Sequence, residues 1–217
     1  MKRFVTDVQR FAPESFYWEM YVSELKATLS SAAYREEPEV VLIDPVALTM
    51  SAMNKIVGHS SRAFVLLTGA NHERAAGALR ENMRIPIWAH LAAKPDLQVH
   101  ADDFFEDGEQ LPAGLTAIHL PGSTPGETAF YTPRNGGMVF MGDALVNTDP
   151  ECGLAFLPDN YSQNPKQSRE SLHKLLKLNF EIMTFAHGQP IVRDAKKRLM
   201  ALLEGASNPK SMPENPA

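Results

Sequence analysis

Short apolar runs separated by polar turns divide this chain into recognisable elements. Val40–Ile43, Ala63–Leu67, Ile85–Trp88, Leu115–Leu120 and Phe180–Phe185 are too short for typical helices and read as buried strands. Ala129–Tyr131 and Met138–Met141 flank Pro133-Arg134-Asn135-Gly136-Gly137, and Asn-Gly between two apolar runs predicts a hairpin. Phe16–Trp18 and Leu25–Leu29 alternate imperfectly and predict two earlier strands. Helical spacing appears in Ser168–Leu178 and again in Asp194–Leu203, where Leu199, Leu202 and Leu203 share a narrow face. Glu73–Asn82 reads as a helix and Leu48–Val57 as a short helix or turn. Strands that first meander and then interleave with helices predict two sheets covered by helices, in the α/β or α+β class.

Composition narrows the function classes. At 217 residues with 44% hydrophobic content, the chain can bury an ordinary globular core. The expected organisation is one domain over residues 1–206 and a loose tail over 207–217, where proline is frequent and apolar groups are few. A net charge of −5 without a basic block predicts no nucleic-acid partner. No apolar run approaches the roughly 20 residues of a membrane span, so no membrane partner is expected. Cys152 stands alone, which excludes an internal disulfide and suits a reducing compartment. With a polar Met1–Arg10 in place of a secretory signal, a cytoplasmic location is expected.

Candidate chemistry begins at the corner between strand Ala63–Leu67 and the helix after it, where α/β proteins commonly place their sites. The corner reads Thr68-Gly69-Ala70-Asn71-His72-Glu73-Arg74-Ala75-Ala76-Gly77. Four further segments follow a consistent order around it. Val40–Asp44 is a strand ending in aspartate, and Pro121-Gly122-Ser123-Thr124-Pro125-Gly126 is a rigid loop. Val139–Asp143 is a second strand ending in aspartate, and Ala186-His187-Gly188 closes the series. These segments resemble, in order, the motifs of the metallo-β-lactamase superfamily, whose corner signature is T-H-x-H-x-D-H-x-x-G. The resemblance spans Val40 to Gly188 and implies a four-layer αββα sandwich.

The same resemblance assigns metal-ligand positions, and five of the seven are altered. The first metal site would fall on Gly69, Asn71, Ser123 and Asp143, which lack imidazoles and are poor zinc ligands. The second would fall on Glu73, Arg74, Asp143 and His187. A guanidinium has no lone pair to give, so Arg74 is expected to replace the metal's charge and pair with Asp143 and Glu73. The candidate pocket residues are Asn71, His72, Glu73, Arg74, Ser123, Asp143 and His187. His72 stands one position off a ligand slot, which turns its ring away from the pocket in this reading. Asp143 could equally cap a strand end, and His187 could be a packed loop residue.

The sequence therefore favours a metal-free, non-hydrolytic relative that keeps a pocket for an unknown small molecule or partner. One alternative is a mononuclear hydrolase of esters, thioesters or phosphoesters, with one divalent zinc, manganese or iron on Glu73, Asp143 and His187. The other is a structural or oligomerising protein with a vestigial site. A homodimer is the base-rate expectation for assembly.

Overall fold

The computed structural model describes residues 4–149 and 153–207. Cys152 and all but the first residue of the expected tail lie outside that range. The first sheet has seven strands in sequence order: β1 (Gln9–Ala12), β2 (Ser15–Val22), β3 (Ala27–Glu36), β4 (Glu39–Ile43), β5 (Arg62–Leu67), β6 (Ile87–His90) and β7 (Asp103–Phe105). Helix α1 (Met50–Val57) follows β4, and α2 (Ala76–Met83) follows β5. The second sheet contains β8 (Gln110–Leu111), β9 (Leu115–His119), β10 (Thr128–Thr132) and β11 (Met138–Phe140). A separate hairpin, β12 (Leu145–Asp149) and β13 (Gly153–Phe156), leads to α3 (Pro165–Ser171). Strand β14 (Ile182–Thr184) joins the second sheet beside β11, and α4 (Ala195–Ser207) follows it.

Burial explains why the central strands read as unbroken apolar runs. In β4, Val40 and Leu42 face one core with Met53 and Ile56 of α1, while Val41 and Ile43 face the core between the sheets. The inter-sheet core also takes Leu66, Leu115, Phe130, Met138 and Phe140. On the far side, Ala129, Val139 and Met183 pack against Leu172, Leu175, Leu199 and Leu203. Both faces of each sheet are covered, so alternation disappears from the sequence. The layers run helix, sheet, sheet, helix, which is the αββα sandwich expected from the motif order.

The hairpin at Asn135-Gly136 forms as expected, pairing Tyr131 with Val139. Other boundaries move. Leu172–Lys177 winds as a 3-10 segment after α3 and does not continue one α-helix from Ser168. Residues 73–75 belong to the corner, and the helix starts at Ala76. Strand β3 runs on to Glu36, beyond the Leu25–Leu29 segment. Its continuation, Ser30-Ser31-Ala32-Ala33, is small and partly polar, yet pairs with both β2 and β4.

Strands β4 to β7 are mutually parallel, and β11 is parallel to β14. Asp44, Thr68, Asp143 and His187 follow the carboxyl ends of β4, β5, β11 and β14. Such strand ends are where open α/β sheets gather their ligands.

Candidate metal centre

His72, Asp143 and His187 converge at this edge, each offering one ligand atom within 4.8 Å of the others. His72 Nε2 lies 3.2 Å and His187 Nε2 3.4 Å from the same oxygen, Asp143 Oδ1. His72 and Asp143 are buried, and His187 is partly exposed. Neither His72 Nε2 nor Asp143 Oδ1 has a hydrogen-bond partner among the described residues.

The opposite edges of the ligands are fixed. His72 Nδ1 is 3.0 Å from Asp44 Oδ2 and 2.7 Å from Thr68 Oγ1. The single Thr68 hydroxyl proton goes to Asp44 Oδ2, so the ring Nδ1–H must donate in its contact with Thr68. Thr68 N also donates to Asp44 Oδ1 at 2.9 Å. His187 Nδ1 lies 2.9 Å from the Thr28 carbonyl, which can only accept. In their neutral forms both rings therefore direct an Nε2 lone pair at Asp143 Oδ1. Asn71 Nδ2 donates to the other carboxylate oxygen, Oδ2, at 2.8 Å.

The charges in this pocket are interdependent. Burial opposes protonation of His72, but Asp143 and Asp44 outweigh it and push its pKa up to about 10. Asp143 stays well below the usual carboxylate range despite its burial, held there by His72 and His187. Burial lowers His187, against the pull of Asp143. The pocket thus keeps a positive charge between two carboxylates, a position that a divalent cation would suit. Glu127, fully buried nearby, is pushed up by burial and by the charge of Asp143.

Two expected pocket residues take other roles. Glu73 turns away from the pocket, and its Oε1 accepts from the backbone N–H groups of Gln98 and Val99, the latter at 2.8 Å. Arg74 is drawn to carbonyls and forms no ion pair with Asp143 or Glu73. It donates to Ser30 O, to Asp44 O at 2.9 Å and to Ala186 O at 3.1 Å. The cause is the corner itself. His72 N turns back to Gly69 O, and Arg74 adopts a positive φ of 42°. That turn carries His72 inward, reversing the outward orientation expected from counting positions. Arg74 consequently joins β3, the end of β4 and the residue before His187.

Ser123 is buried, with a hydroxyl that has no partner among the described residues. Thr124 follows it and packs on the corner, so that a Cβ at Gly69 would lie 2.6 Å from Thr124 Oγ1. Gly188 has φ of 110°, and a side chain there would strike Asn147 O at 2.1 Å, so the loop after His187 requires glycine. His90 and His119 form a separate stacked pair with ring centroids 3.9 Å apart. His72, Asp44 and Arg74 were poorly marked in the sequence as one cluster, since they come from two separate strand ends, β4 and β5.

Comparison with known proteins agrees with the fold. The family profile described as "Metallo-beta-lactamase superfamily" matches residues 8–206. A hydroxyacylglutathione hydrolase from Aeromonas hydrophila subsp. hydrophila is 30% identical over 118 residues. That match covers 52% of this chain and 42% of the relative, so it spans less than half of the relative's length. A protein solved as "TTHA1623 in a di-iron-bound form" is 25% identical, with a TM-score of 0.63, covering 85% of this chain and 96% of its own. The TMB-1 structure superposes with a TM-score of 0.71 at 14% identity, over 93% of this chain and 98% of its own, a likeness of fold alone.

Proposed function

The chain belongs to the metallo-beta-lactamase superfamily, and we propose that it is a hydrolase working with one divalent metal held by His72, Asp143 and His187. The observation that carries this reading is the pair of buried, unpartnered atoms, His72 Nε2 and Asp143 Oδ1, in one cluster with His187 whose ligand atoms lie within 4.8 Å of one another. A tetrahedral zinc site with bonds of about 2.0–2.2 Å spaces its donors about 3.3–3.6 Å apart. The separations of 3.2 and 3.4 Å around Asp143 Oδ1 come near that spacing, and the three ligand atoms as a set lie within 4.8 Å of one another. Two imidazoles and one carboxylate are also a familiar catalytic donor set.

A divalent metal bound there acidifies water and polarises the bond under attack. The protein's own part is preparatory. Asp44 and Thr68 hold His72 in the tautomer that presents Nε2, the carboxylate–histidine pairing typical behind metal ligands. Thr28 does the same for His187, and Asn71 holds Asp143 so that Oδ1 faces inward. Arg74 ties the Asp44 and His187 segments together. The hydroxyacylglutathione hydrolase relative supports an acyl thioester or ester as substrate class.

A second reading, the metal-free binding pocket expected from the altered ligands, has one observation in its favour. A protonated His72 between Asp143 and Asp44 would balance the site's charge without a metal. Elemental analysis decides between them, after purification without chelator and after incubation with Zn²⁺, Mn²⁺ or Fe²⁺. Near-stoichiometric metal, lost in His72→Ala and kept in Glu73→Ala, supports the hydrolase, to be followed by assays on simple thioesters and esters. Background metal under every condition supports the metal-free pocket.

A further inference from the structure

We propose that Tyr17 and Ser30, backed by Glu19, are positioning residues for His187, gripping the loop that carries it and so setting metal affinity. The role rests on the reading of His72, Asp143 and His187 as a metal site.

The ligands come from both sheets. His72 follows β5 of the seven-stranded sheet, whereas Asp143 and His187 follow β11 and β14 of the second. His187 lies in a loop and is the most exposed of the three. Its place relative to His72 therefore depends on what ties this loop to the first sheet. Strand β3 supplies the tie. Ser30 N donates to Ala186 O at 2.8 Å, and Thr28 O lies 2.9 Å from His187 Nδ1. Ser30 Oγ accepts from Gly188 N at 3.1 Å.

Tyr17 extends the tie to β2. Its hydroxyl donates to Glu19 Oε2, and lies 3.3 Å from Gly188 O and 3.3 Å from Ser30 Oγ. A carboxylate can only accept, so with the Tyr17 proton directed to Glu19 the Ser30 hydroxyl must donate to Tyr17 Oη. The donors run in one direction, from Gly188 N through Ser30 and Tyr17 to Glu19. Gln189 Nε2 donates to the same Glu19 Oε2 at 3.0 Å. Tyr17 and Ser30 are buried, so neither hydroxyl can exchange its partner for water without cost. Arg74 holds Ala186 just before the ligand, and Tyr17 and Ser30 hold Gly188 just after it.

Tyr34 offers a control within the same sheet. It is buried on β3, toward the opposite end of the strand from Thr28, and donates to Glu36 Oε2 at 2.8 Å. The Tyr-x-Glu arrangement is the same, but it does not touch the His187 loop.

The test compares Zn²⁺ affinity, by chelator competition, with stability, by urea unfolding of the metal-free protein. Tyr17→Phe and Ser30→Ala should each raise the dissociation constant about 10–100-fold, the usual effect of losing a partner behind a metal ligand. Tyr34→Phe should lower the urea midpoint as Tyr17→Phe does, and leave Zn²⁺ affinity at the parent value. Parent-like affinity in either Tyr17→Phe or Ser30→Ala overturns the proposal. An equal loss of affinity in Tyr34→Phe also overturns it, by showing that general destabilisation is enough. If Tyr17→Phe does not fold, Ser30→Ala decides. No Zn²⁺ on the parent overturns the metal-site reading. Positioning is then read from the long-range nitrogen–proton NMR spectrum of the metal-free protein. His187 should hold the Nδ1–H tautomer in the parent and mix tautomers in Tyr17→Phe or Ser30→Ala. An unchanged His187 signal overturns the positioning as well.

Discussion

Asp44 and His72 are linked both directly and through Thr68: Nδ1 lies 3.0 Å from Asp44 Oδ2, and the Thr68 hydroxyl touches both groups. The link comes from two neighbouring parallel strands, since Asp44 directly follows β4 and Thr68 directly follows β5. Asp44→Asn should release the tautomer, because an amide can present a donor or an acceptor to Nδ1. Metal affinity should fall about 10–100-fold, the usual effect of losing a partner behind a metal-bound histidine. Competition against a chelator of known affinity measures it, and an unchanged dissociation constant would sink the assignment.

Glu73 and His72 are adjacent in sequence and opposite in role. His72→Ala should abolish metal binding. Glu73→Ala should leave metal content intact and lower stability by about 0.5–1.5 kcal/mol, since Glu73 only accepts from Gln98 and Val99. Urea unfolding together with metal analysis separates the two effects. Metal loss in Glu73→Ala would restore the ligand set expected from the motif frame.

Much of the fold was legible because strands buried on both faces leave runs such as Val40–Ile43 and Ala63–Leu67. Asp143 and His187 were legible for a related reason: each directly follows such a run. Strands β1, β7, β8, β12 and β13 were missed, being too short to carry a period. His72 was placed facing outward because position counting assumes a regular turn. The actual turn depends on a positive φ at Arg74, a residue type that seldom adopts one. Glu127 left no signal, since one glutamate in a Pro-Gly loop ordinarily faces solvent.

Arg74 carries a prediction that survives its change of role. Burial lowers its pKa, opposed by Asp44 and Asp143, while its three carbonyl partners come from separate segments. Arg74→Leu should cost about 3 kcal/mol or more, because buried polar groups left unpaired cost about 1–3 kcal/mol each. Arg74→Lys should recover little, since a single ammonium lacks the spread of a guanidinium fork. A chemical denaturation midpoint equal to the parent's in Arg74→Leu would refute the clamp.

Metal should also stabilise the fold. A ligand that binds only the folded chain adds about 2.7 kcal/mol at one hundred times its dissociation constant. For a chain of this size that corresponds to a rise in melting temperature of about 5–10 °C. The rise should vanish in His187→Ala. Scanning calorimetry with and without Zn²⁺ provides the measurement, and equal melting temperatures would favour the metal-free pocket.

The stacked His90–His119 pair makes stability depend on pH independently of the metal site. Burial, then the neighbouring His90 and Lys174, push His119 down to about 4, and burial lowers His90 as well. In the unfolded chain both would take a proton near pH 6.5. Between pH 6.5 and about 4 the unfolded state thus binds more protons than the folded one, so stability falls as pH falls through that window. Above pH 6.5 both states are neutral at these rings, and the pair contributes no slope. His119→Gln should flatten the decline between pH 6.5 and 4 relative to the parent, because it removes one titrating ring and the repulsion on the other. Apart from Asp107, which His119 helps hold below its ordinary range, carboxylates act equally in both proteins, so the difference between their unfolding midpoints isolates the histidines. A difference that stays constant from pH 7 to pH 4.5 would show that His119 titrates alike in the folded and unfolded states.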